Sequence, residues 1–303
     1  MIGLTLKHLR YFEALARHAH FGRAADSVGI SQPALSVQMK ELERMLGGPL
    51  VERLAREIRL TALGEDFLAR TRNILMEVRE LDDLKRSASG PLAGRLRLGV
   101  IPTVAPYLLP RIMKAMSIKM PALELQPREN ITRSLIADLA NSTLDAAIVA
   151  LPISEPTLQE VALFEEEFLL LRPQSEDGKP VPSPDALRKR GLLLLAEGHC
   201  FRDQALSFCK MGADEPRYLM EGSSLSTLVQ MVGAGMGLTL IPEIAVPLET
   251  KSAPVAVARF PEPRPSRTIG IVWRRTNPLA AKLDDFGRIV RDVVTKPPVV
   301  SAS

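Results

Sequence analysis

The stretch FGRAADSVGISQPALSVQMKELERML, residues 21–46, carries the pattern that determines the fold of the N-terminal part of the chain. A short helix is predicted from Phe21 to Val28, and the next residue, Gly29, is the type that ends a helix at a sharp turn. Ser31 then provides an N-cap, and Pro33 lies in the first turn, where its missing N–H costs nothing. Apolar residues recur at helical spacing in this second helix: Leu35, Met39, Leu42 and Leu46. Two helices joined by a glycine turn indicate a helix-turn-helix.

The segments on either side extend this pattern. Before it, apolar residues at helical spacing follow Thr5, which is a suitable N-cap. After it, residues 50–60 are short and rich in arginine, and we interpret them as a small hairpin or wing. A long helix is predicted over residues 62–86, and the Ser/Gly/Pro stretch at residues 87–91 is the clearest linker in the chain.

The second helix of a helix-turn-helix enters the major groove of DNA with its N-terminal residues at the base edges. Arginines of the wing are expected to contact phosphates. The charge agrees, because residues 1–60 carry nine Lys and Arg against six Asp and Glu, whereas the remainder carries 30 against 29. A helical hairpin with a solvated polar face would show the same periodicity, so that alternative stays open on periodicity alone. The predicted DNA-binding residues are Ser31, Gln32, Pro33, Ser36, Gln38, Arg53 and Arg56.

From Leu92 onward the pattern changes to short apolar strands that alternate with helices. This alternation predicts α/β layers around a mostly parallel sheet. The glycine-rich residues 233–237 follow a predicted helix and precede a strand, which is the reverse of a dinucleotide-binding loop, so we interpret them as a turn. The predicted strands are Arg95–Val100, Leu123–Gln126, Ala146–Ala150, Glu167–Leu171, Leu192–Leu195, Gly237–Ile241 and Thr268–Trp273.

Composition excludes several classes of protein. The chain has 303 residues, of which 46% are hydrophobic, so it has ample apolar material for buried cores. Its longest apolar runs are far shorter than the roughly 20 residues of a membrane span. Residues 1–10 lack the apolar core of a signal peptide, so we expect a cytoplasmic protein without membrane contact. No catalytic triad, paired carboxylates or phosphate loop is evident, and we expect no enzymatic activity, no cofactor and no metal.

Two cysteines, Cys200 and Cys209, lie in the segment GHCFRDQALSFC at residues 198–209. On a helix, a nine-residue offset is about 13.5 Å of rise and roughly 180° of rotation. A disulfide needs Cα atoms within about 7 Å, so a helical segment would have to be remodelled before these cysteines could bond. A helix N-terminus and the nearby His199 and Arg202 would favour the Cys200 thiolate. Peroxide oxidises such a thiolate to a sulfenic acid, and a second thiol then condenses with it to form a disulfide. Cys209 is the sole internal candidate for this second thiol.

Other interpretations of this pair remain open at this point. Free cysteines are often small buried hydrophobes, which for an arbitrary pair is the preferred explanation. A zinc site is disfavoured, because the C-x8-C spacing is not a metal-binding pattern and only His199 lies near. A sensor with a metabolite effector, a thiol peroxidase and a periplasmic solute-binding protein are three alternative functions. A Cys200 that does not react with alkylating reagents at neutral pH would favour the metabolite sensor. Multiple turnover with a reductant would favour the peroxidase, and a solute-binding protein should carry an export signal, which residues 1–10 do not resemble.

The N-terminal pattern resembles the winged helix-turn-helix of the LysR-type transcriptional regulators. The resemblance rests on the order Ala24-Ala25, Gly29, Ser31–Ser36 and Leu42-Glu43, followed by an arginine-containing wing. It implies an N-terminal winged helix-turn-helix, a long linker helix and a C-terminal two-lobed periplasmic-binding-protein-like α/β regulatory domain. The implied bounds are 1–61 for the DNA-binding domain, 62–91 for the linker and dimerisation helix with its hinge, and 92–303 for the regulatory domain. Within the latter, lobe I is about 92–166 and 267–303, and lobe II is about 167–266.

The segment His199–Cys209 is similar to the corresponding segment of the peroxide-sensing members of that family, and residues 101–110 and 212–215 agree. The resemblance implies that Cys200 is the peroxidatic and Cys209 the resolving cysteine of a reversible disulfide switch. The regulator would sense hydrogen peroxide and control antioxidant genes. The implied peroxide-pocket residues are Thr103, Thr132, His199, Arg202, Asp203 and Arg267. The implied partners are promoter DNA, hydrogen peroxide, a cellular thiol reductant, RNA polymerase and further copies of the chain in a dimer of dimers.

Overall fold

The computed structural model describes residues 3–53, 58–88, 92–190, 192–209 and 221–295. The chain divides into two compact units, Met1–Lys85 and Arg86–Ser303. The predicted phosphate contact Arg56 lies outside the described residues. The division of the chain into three domains and two lobes stays a prediction.

The described part of the first unit contains helices and one short antiparallel hairpin: α1 (Leu6–His18), α2 (Phe21–Ser27), α3 (Gln32–Leu46), β1 (Val51–Arg53), β2 (Ile58–Leu60) and α4 (Ala62–Ala88). Thr5 caps α1 as predicted, with its hydroxyl accepting a hydrogen bond from the His8 N–H at 3.4 Å. Gly29 has φ +70°, so the turn between α2 and α3 uses a conformation that favours glycine. Ser31 caps α3 by accepting a hydrogen bond from the Ala34 N–H at 3.3 Å.

The core of the first unit is formed by apolar side chains that the helical spacing predicts. Leu35, Met39 and Leu42 of α3 are fully buried against Phe12, Leu15, Phe21, Ala24 and Ala25. The Glu43 carboxylate accepts hydrogen bonds from the backbone N–H groups of Leu50 and Val51, at 2.9 and 3.3 Å. This side chain therefore fixes the start of the wing against the C-terminal end of α3.

The second unit alternates strands and helices along the chain. Its described elements are β3 (Gly94–Val100), α5 (Ala105–Lys119), β4 (Leu123–Glu129), α6 (Thr132–Ala140), β5 (Ala146–Leu151), β6 (Leu158–Pro173), α7 (Pro184–Lys189), β7 (Leu194–Leu195), α8 (Cys200–Phe208), β8 (Glu221–Gly222), α9 (Leu225–Gly233), β9 (Thr239–Pro242), α10 (Val246–Glu249), β10 (Val255–Ala258), β11 (Ser266–Arg274) and α11 (Ala280–Thr295). The glycine-rich residues 233–237 lie between a helix and a strand, in the order that was predicted.

The prediction of a mostly parallel sheet is wrong. A seven-stranded sheet has the order β10-β6-β11-β5-β3-β4, with β9 also paired to β6. Only β3 pairs in parallel there, with β4 and β5, whereas β11 is antiparallel to both β5 and β6. Parallel neighbours need a crossover connection, and helices α5 and α6 provide it for the first three strands. No helix separates β5 from β6, and the late strand β11 returns between them.

Two hydrophobic clusters lie on the two halves of this sheet. The first includes Leu98, Ile148 and Trp273, and the second includes Leu170, Phe201 and Leu240. Strand β6 contributes to both, with Leu158 and Leu163 in the first cluster and Phe168 to Leu171 in the second. Helix α8 packs on the second cluster, and its N-terminal residue, Cys200, packs against the first. The cysteine segment therefore lies where the two clusters meet.

Candidate functional site

The turn before α8 places Cys200 at the N-terminus of a helix. Gly198 has φ +92°, which strains any larger residue, and a Cβ at this position would lie 2.8 Å from Ile131 Cδ1, so the Ile131 side chain would have to shift. His199 is the N-cap, and Cys200 is the first residue of the helix. The Cys200 side chain is half-buried. A thiolate at this position faces the partial positive charge of the helix N-terminus, which favours an anion.

A narrow crevice borders Cys200 on one side. It brings together three predicted site residues, Thr103, Thr132 and His199, with Ile101, Pro102 and Ile131. The crevice does not admit a water-sized sphere in this conformation. Within the described part of the chain, the buried Thr132 hydroxyl has no hydrogen-bond partner. An unsatisfied buried hydroxyl beside a thiol is available to a polar ligand.

An open cleft of about 680 Å³ borders Cys200 on the other side. Thr132 and Cys200 line both the crevice and the cleft, so these two residues separate the two spaces. Most of the cleft wall is formed by residues of α6 and of the chain around the end of β5. The lining residues are Thr132, Arg133, Ile136, Ala150, Leu151, Pro152, Ile153, Glu155, Gly198, Cys200, Asp203 and Gln204.

Arg267 is held in the interior beside the crevice. Its Nη1 donates to the Thr103 hydroxyl at 2.9 Å, and its Nε donates to Glu166 Oε1 at 2.8 Å. Glu166 in turn accepts a hydrogen bond from the Ile244 N–H at 3.1 Å. The guanidinium also lies 5.5 Å from the ring centre of Phe201, the residue after Cys200. Arg267 is therefore a buried link between Thr103, the sheet and α8.

His199 and Arg202, the two residues that were expected to act as cations beside Cys200, have different surroundings. Burial lowers the pKa of His199 below its usual value of 6.5, so the imidazole is mostly neutral at pH 7. Arg202 is buried, and its Nη1 donates to the Leu195 carbonyl at 3.0 Å. Arg202 thus ties the first turn of α8 to Leu195. The helix N-terminus and the Arg202 guanidinium are the positive features of this turn, whereas a neutral His199 adds no charge.

Cys209 lies at the opposite end of α8 and is fully buried in the second cluster. Burial raises the pKa of its thiol to about 11. Both cysteines are free, and the segment between them is helical from Cys200 to Phe208. Because the segment is helical, a disulfide between these residues requires α8 to unwind.

Asp203 is exposed on α8 and lines the open cleft, away from the crevice. Two further residues at this site were not predicted. Gln204 lies one helical turn after Cys200, and its buried side-chain oxygen has no partner among the described atoms. The four-residue spacing could have identified it. Glu166 could not be found this way, because 101 positions separate it from its partner Arg267.

The predicted DNA-binding residues of α3 lie together at its N-terminal end. Ser31, Gln32 and Pro33 are exposed, and Ser36 and Gln38 are half-buried one to two turns later. The backbone of Arg53 lies in β1 of the wing. The exposed side chains of the first turn of α3 are thus available for contact.

The residues that the structure describes contain neither a metal-binding cluster nor a membrane-spanning helix. Over the described ranges, no group of three or more histidine, cysteine or acidic side chains could hold a metal ion. Nor is any described helix long and apolar enough to cross a membrane.

Comparison with known families assigns both units. Residues 6–65 match the model of the bacterial regulatory helix-turn-helix proteins of the lysR family. Residues 89–295 match the model of the LysR substrate binding domain. The two matches together cover most of the chain.

Two similar proteins, matched over nearly their whole length, are both named as regulators. A probable hydrogen peroxide-inducible genes activator of Streptomyces viridosporus is 40% identical over 299 residues, which are 97% of this chain and 96% of that protein. The DNA-binding transcriptional dual regulator OxyR of Escherichia coli is 39% identical over 292 residues, 95% of each chain.

Solved structures lead to the same family. A full-length OxyR variant from Pseudomonas aeruginosa has a TM-score of 0.74 and 36% identity, with 95% of each chain covered. A hydrogen peroxide-bound OxyR mutant from Corynebacterium glutamicum has a TM-score of 0.65 and 34% identity, covering 96% of this chain and 92% of that one. From these matches and the fold, the chain belongs to the OxyR-type regulators of the LysR transcription-factor family.

Proposed function

We propose that this chain is a DNA-binding transcription regulator that senses hydrogen peroxide through reversible formation of a Cys200–Cys209 disulfide. The observation that carries the proposal is the placement of two free cysteines at opposite ends of one helix. Cys200 is half-buried at the N-terminus of α8, and Cys209 is fully buried at its C-terminal end. The names of the relatives, which are hydrogen peroxide-inducible activators, support the same assignment.

In the first step the Cys200 thiolate attacks one oxygen of hydrogen peroxide. The O–O bond breaks, Cys200 becomes a sulfenic acid, and the departing hydroxide takes a proton to become water. Thr103 and Thr132 offer hydroxyls to the peroxide, and Arg267 orients Thr103 through its hydrogen bond at 2.9 Å. His199 closes the crevice, Arg202 holds the turn and Asp203 lies at its cleft side. The crevice has to widen slightly to admit the peroxide, because no water-sized sphere fits it.

In the second step the Cys209 sulfur displaces the oxygen of the Cys200 sulfenic acid, which forms the disulfide and releases water. Cys209 is poorly reactive while it is buried, because its pKa is raised to about 11. The helix must unwind to bring it to Cys200. Unwinding removes Phe201 and Leu206 from the second cluster, and this loss couples the chemistry to a change in packing. A cellular thiol reductant would reverse the step.

The output is altered binding to promoter DNA. The proposed contacts to base edges or phosphates come from α3 and its N-cap: Ser31, Gln32, Pro33, Ser36 and Gln38. The wing residues Arg53 and Arg56 contact the DNA backbone. The proposed assembly is a homotetramer, a dimer of dimers. In such an assembly, a change in packing between regulatory units would change the spacing of the DNA-binding heads. RNA polymerase is the partner through which antioxidant genes would be activated.

The test compares the full-length chain with Cys200→Ser and Cys209→Ser. Equimolar peroxide is added, free thiols are alkylated, and the products are identified by mass spectrometry while a DNA footprint is recorded. Wild type is expected to form the Cys200–Cys209 disulfide and change its footprint. Cys209→Ser should accumulate a sulfenic acid that a dimedone probe traps.

The serine variant at position 200 provides the decisive control. Cys200→Ser should bind DNA normally. It should give no peroxide response, because its remaining cysteine, Cys209, is buried and mostly protonated. At pH 8, iodoacetamide should alkylate Cys200 at least about 100-fold faster than Cys209. A peroxide-dependent footprint in Cys200→Ser, or an inert Cys200 in wild type, would refute the proposed switch.

A further inference from the structure

We propose that Val37, at the centre of the exposed face of α3, determines sequence specificity by packing against the 5-methyl group of a thymine in the major groove. This contact rests on the proposed function in one respect only, that α3 enters the major groove, and it is independent of the cysteine switch. It adds an apolar contact to the polar DNA-binding residues predicted for α3, and it names the base that the contact selects.

Val37 is a large apolar side chain that α3 leaves in solvent. It is 61% exposed, whereas Leu35 and Met39, two positions to either side, are 0% and 1% exposed. Because successive residues of a helix are about 100° apart, Val37 points roughly opposite to that buried pair. Val37 therefore faces away from the core of the first unit, and packing within this unit does not account for an apolar residue here.

Val37 is also part of a small apolar surface. Single exposed apolar residues are common in proteins, so the exposure of one residue would mean little. Pro33 and Ala34, one turn earlier on the same face, are exposed as well. Three apolar residues thus adjoin on the outer face of α3. They lie in its N-terminal half, the part of the second helix that a helix-turn-helix brings to the base edges.

The charges on the following turns suit DNA as the occupant of this face. Lys40 and Arg44 are exposed there, together with one carboxylate, Glu41. The other acidic residue of α3, Glu43, is half-buried and accepts hydrogen bonds from the start of the wing. Two cations against one exposed carboxylate favour a partner that carries phosphates beside the apolar contact.

The chemistry of the major groove selects thymine as the partner of Val37. Guanine, cytosine and adenine present hydrogen-bond donors or acceptors there, and thymine alone adds a methyl group. A valine side chain can neither donate nor accept, so it would displace water from those polar groups without replacing the lost hydrogen bonds. Against thymine, the valine methyl groups and the 5-methyl group shield one another from water, which is favourable in proportion to the buried area.

The experiment uses the full-length chain in its reduced state and a duplex that wild type selects from a random pool. Each thymine of the selected site is replaced in turn by deoxyuridine, which lacks only the 5-methyl group and keeps every hydrogen-bonding group. Fluorescence anisotropy gives the Kd for wild type and three variants. Val37→Ala removes the apolar contact, and Val37→Ile keeps a branched apolar side chain. Leu6→Ala is the matched control, because Leu6 is an apolar residue of α1 that is 42% exposed.

At one or more thymines of the site, deoxyuridine should weaken the binding of wild type about fourfold, which is what burial of one methyl group is worth. Val37→Ile and Leu6→Ala should show the same loss. In Val37→Ala the loss at such a thymine should nearly disappear, because the methyl group no longer has a partner. Alanine is favourable in the interior of a helix, so α3 should persist in this variant, and circular dichroism checks its helix content.

The outcomes separate this contact from the proposed function. If wild type selects no duplex, the proposed function itself is wrong. If a duplex is selected but no deoxyuridine weakens the binding of wild type, only the role of Val37 is overturned. The same holds if Val37→Ala, although folded, loses as much affinity on deoxyuridine substitution as wild type does, since another residue would then contact the methyl group.

Discussion

Arg267 and Glu166 form a buried ion pair whose side chains are 0% and 4% exposed, with N···O at 2.7 Å. The next residue along the strand, Glu167, also pairs with an arginine, Arg259, but those side chains are 26% and 51% exposed. The two ion pairs thus differ in burial, and Glu167 also has a second partner, Arg264, at 2.9 Å. A charge left alone in the interior is costly, whereas an exposed charge is solvated by water.

We therefore expect Arg267→Met to lower the free energy of unfolding by about 3–5 kcal/mol, because it leaves Glu166 buried and unpaired. The matched change Arg259→Met should cost less than about 1 kcal/mol. Urea unfolding followed by the fluorescence of the single tryptophan, Trp273, measures both, since it lies buried in β11 together with Arg267. Similar losses in the two variants would contradict the role assigned to burial.

Residues at the site differ in how far the sequence alone could identify them. The local segment around Cys200 carries its own chemistry, so both cysteines and His199 could be named. Arg267 could be named only through a family resemblance, and Glu166 not at all, because nothing local signals a partner 101 positions away. The neutral state of His199 was also missed, since burial by distant residues determines it.

Ser31, the N-cap of helix α3, has one observed and one proposed role. The Ser31 hydroxyl caps the helix by accepting a hydrogen bond from the Ala34 N–H, and Ser31 is also proposed to contact DNA. Removing the hydroxyl affects both tasks at once. Substitution by aspartate separates them, because Asp is an equally good cap but repels phosphate.

Ser31→Ala should destabilise the first turn of α3 by about 1 kcal/mol. Ser31→Asp should keep that stability yet weaken DNA binding by at least about tenfold at low salt. Amide hydrogen exchange of α3 reports the first effect. Fluorescence anisotropy with a duplex selected by the wild-type chain reports the second. Retained affinity in Ser31→Asp would exclude this residue from the interface.

Elements with local start and stop signals were predicted well. Thr5, Gly29 and Ser31 lie at the helix ends where the sequence placed them. The strands were harder, because strand pairing depends on distant partners. Strand β10 was missed, and β6 was predicted only over Glu167–Leu171 although it begins at Leu158. Polar residues interrupt the first half of β6 at Gln159, Glu160 and Glu165, and this half gains its place by pairing with β11.

The regulatory unit as a whole is joined by this long strand. Residues 158–167 of β6 pair with β11 beside the first cluster, and residues 168–173 pair with β9 and β10 beside the second. One continuous backbone therefore belongs to both clusters. Opening one cluster disturbs the strand on which the other is built, which favours cooperative unfolding.

Accordingly, the two clusters should unfold in a single transition. Trp273 reports the first cluster by fluorescence, and Cys209 reports the second by becoming accessible to alkylation. In the Cys200→Ser background only Cys209 reacts, so the two signals are independent. Their urea midpoints should coincide. Labelling of Cys209 at clearly lower urea than the fluorescence change would show that the second cluster opens alone.

The burial of Cys209 at the far end of α8 has a consequence in time. Under the proposed mechanism the first oxidation needs only access to Cys200, whereas closure of the disulfide waits for the helix to open. An oxidant pulse shorter than this opening leaves a sulfenic acid that small thiols can remove before any rearrangement occurs. A longer oxidant pulse is still present when the helix opens and exposes Cys209. Under that mechanism the helix between the two cysteines would delay disulfide formation, and the regulator would distinguish persistent oxidant exposure from brief fluctuations.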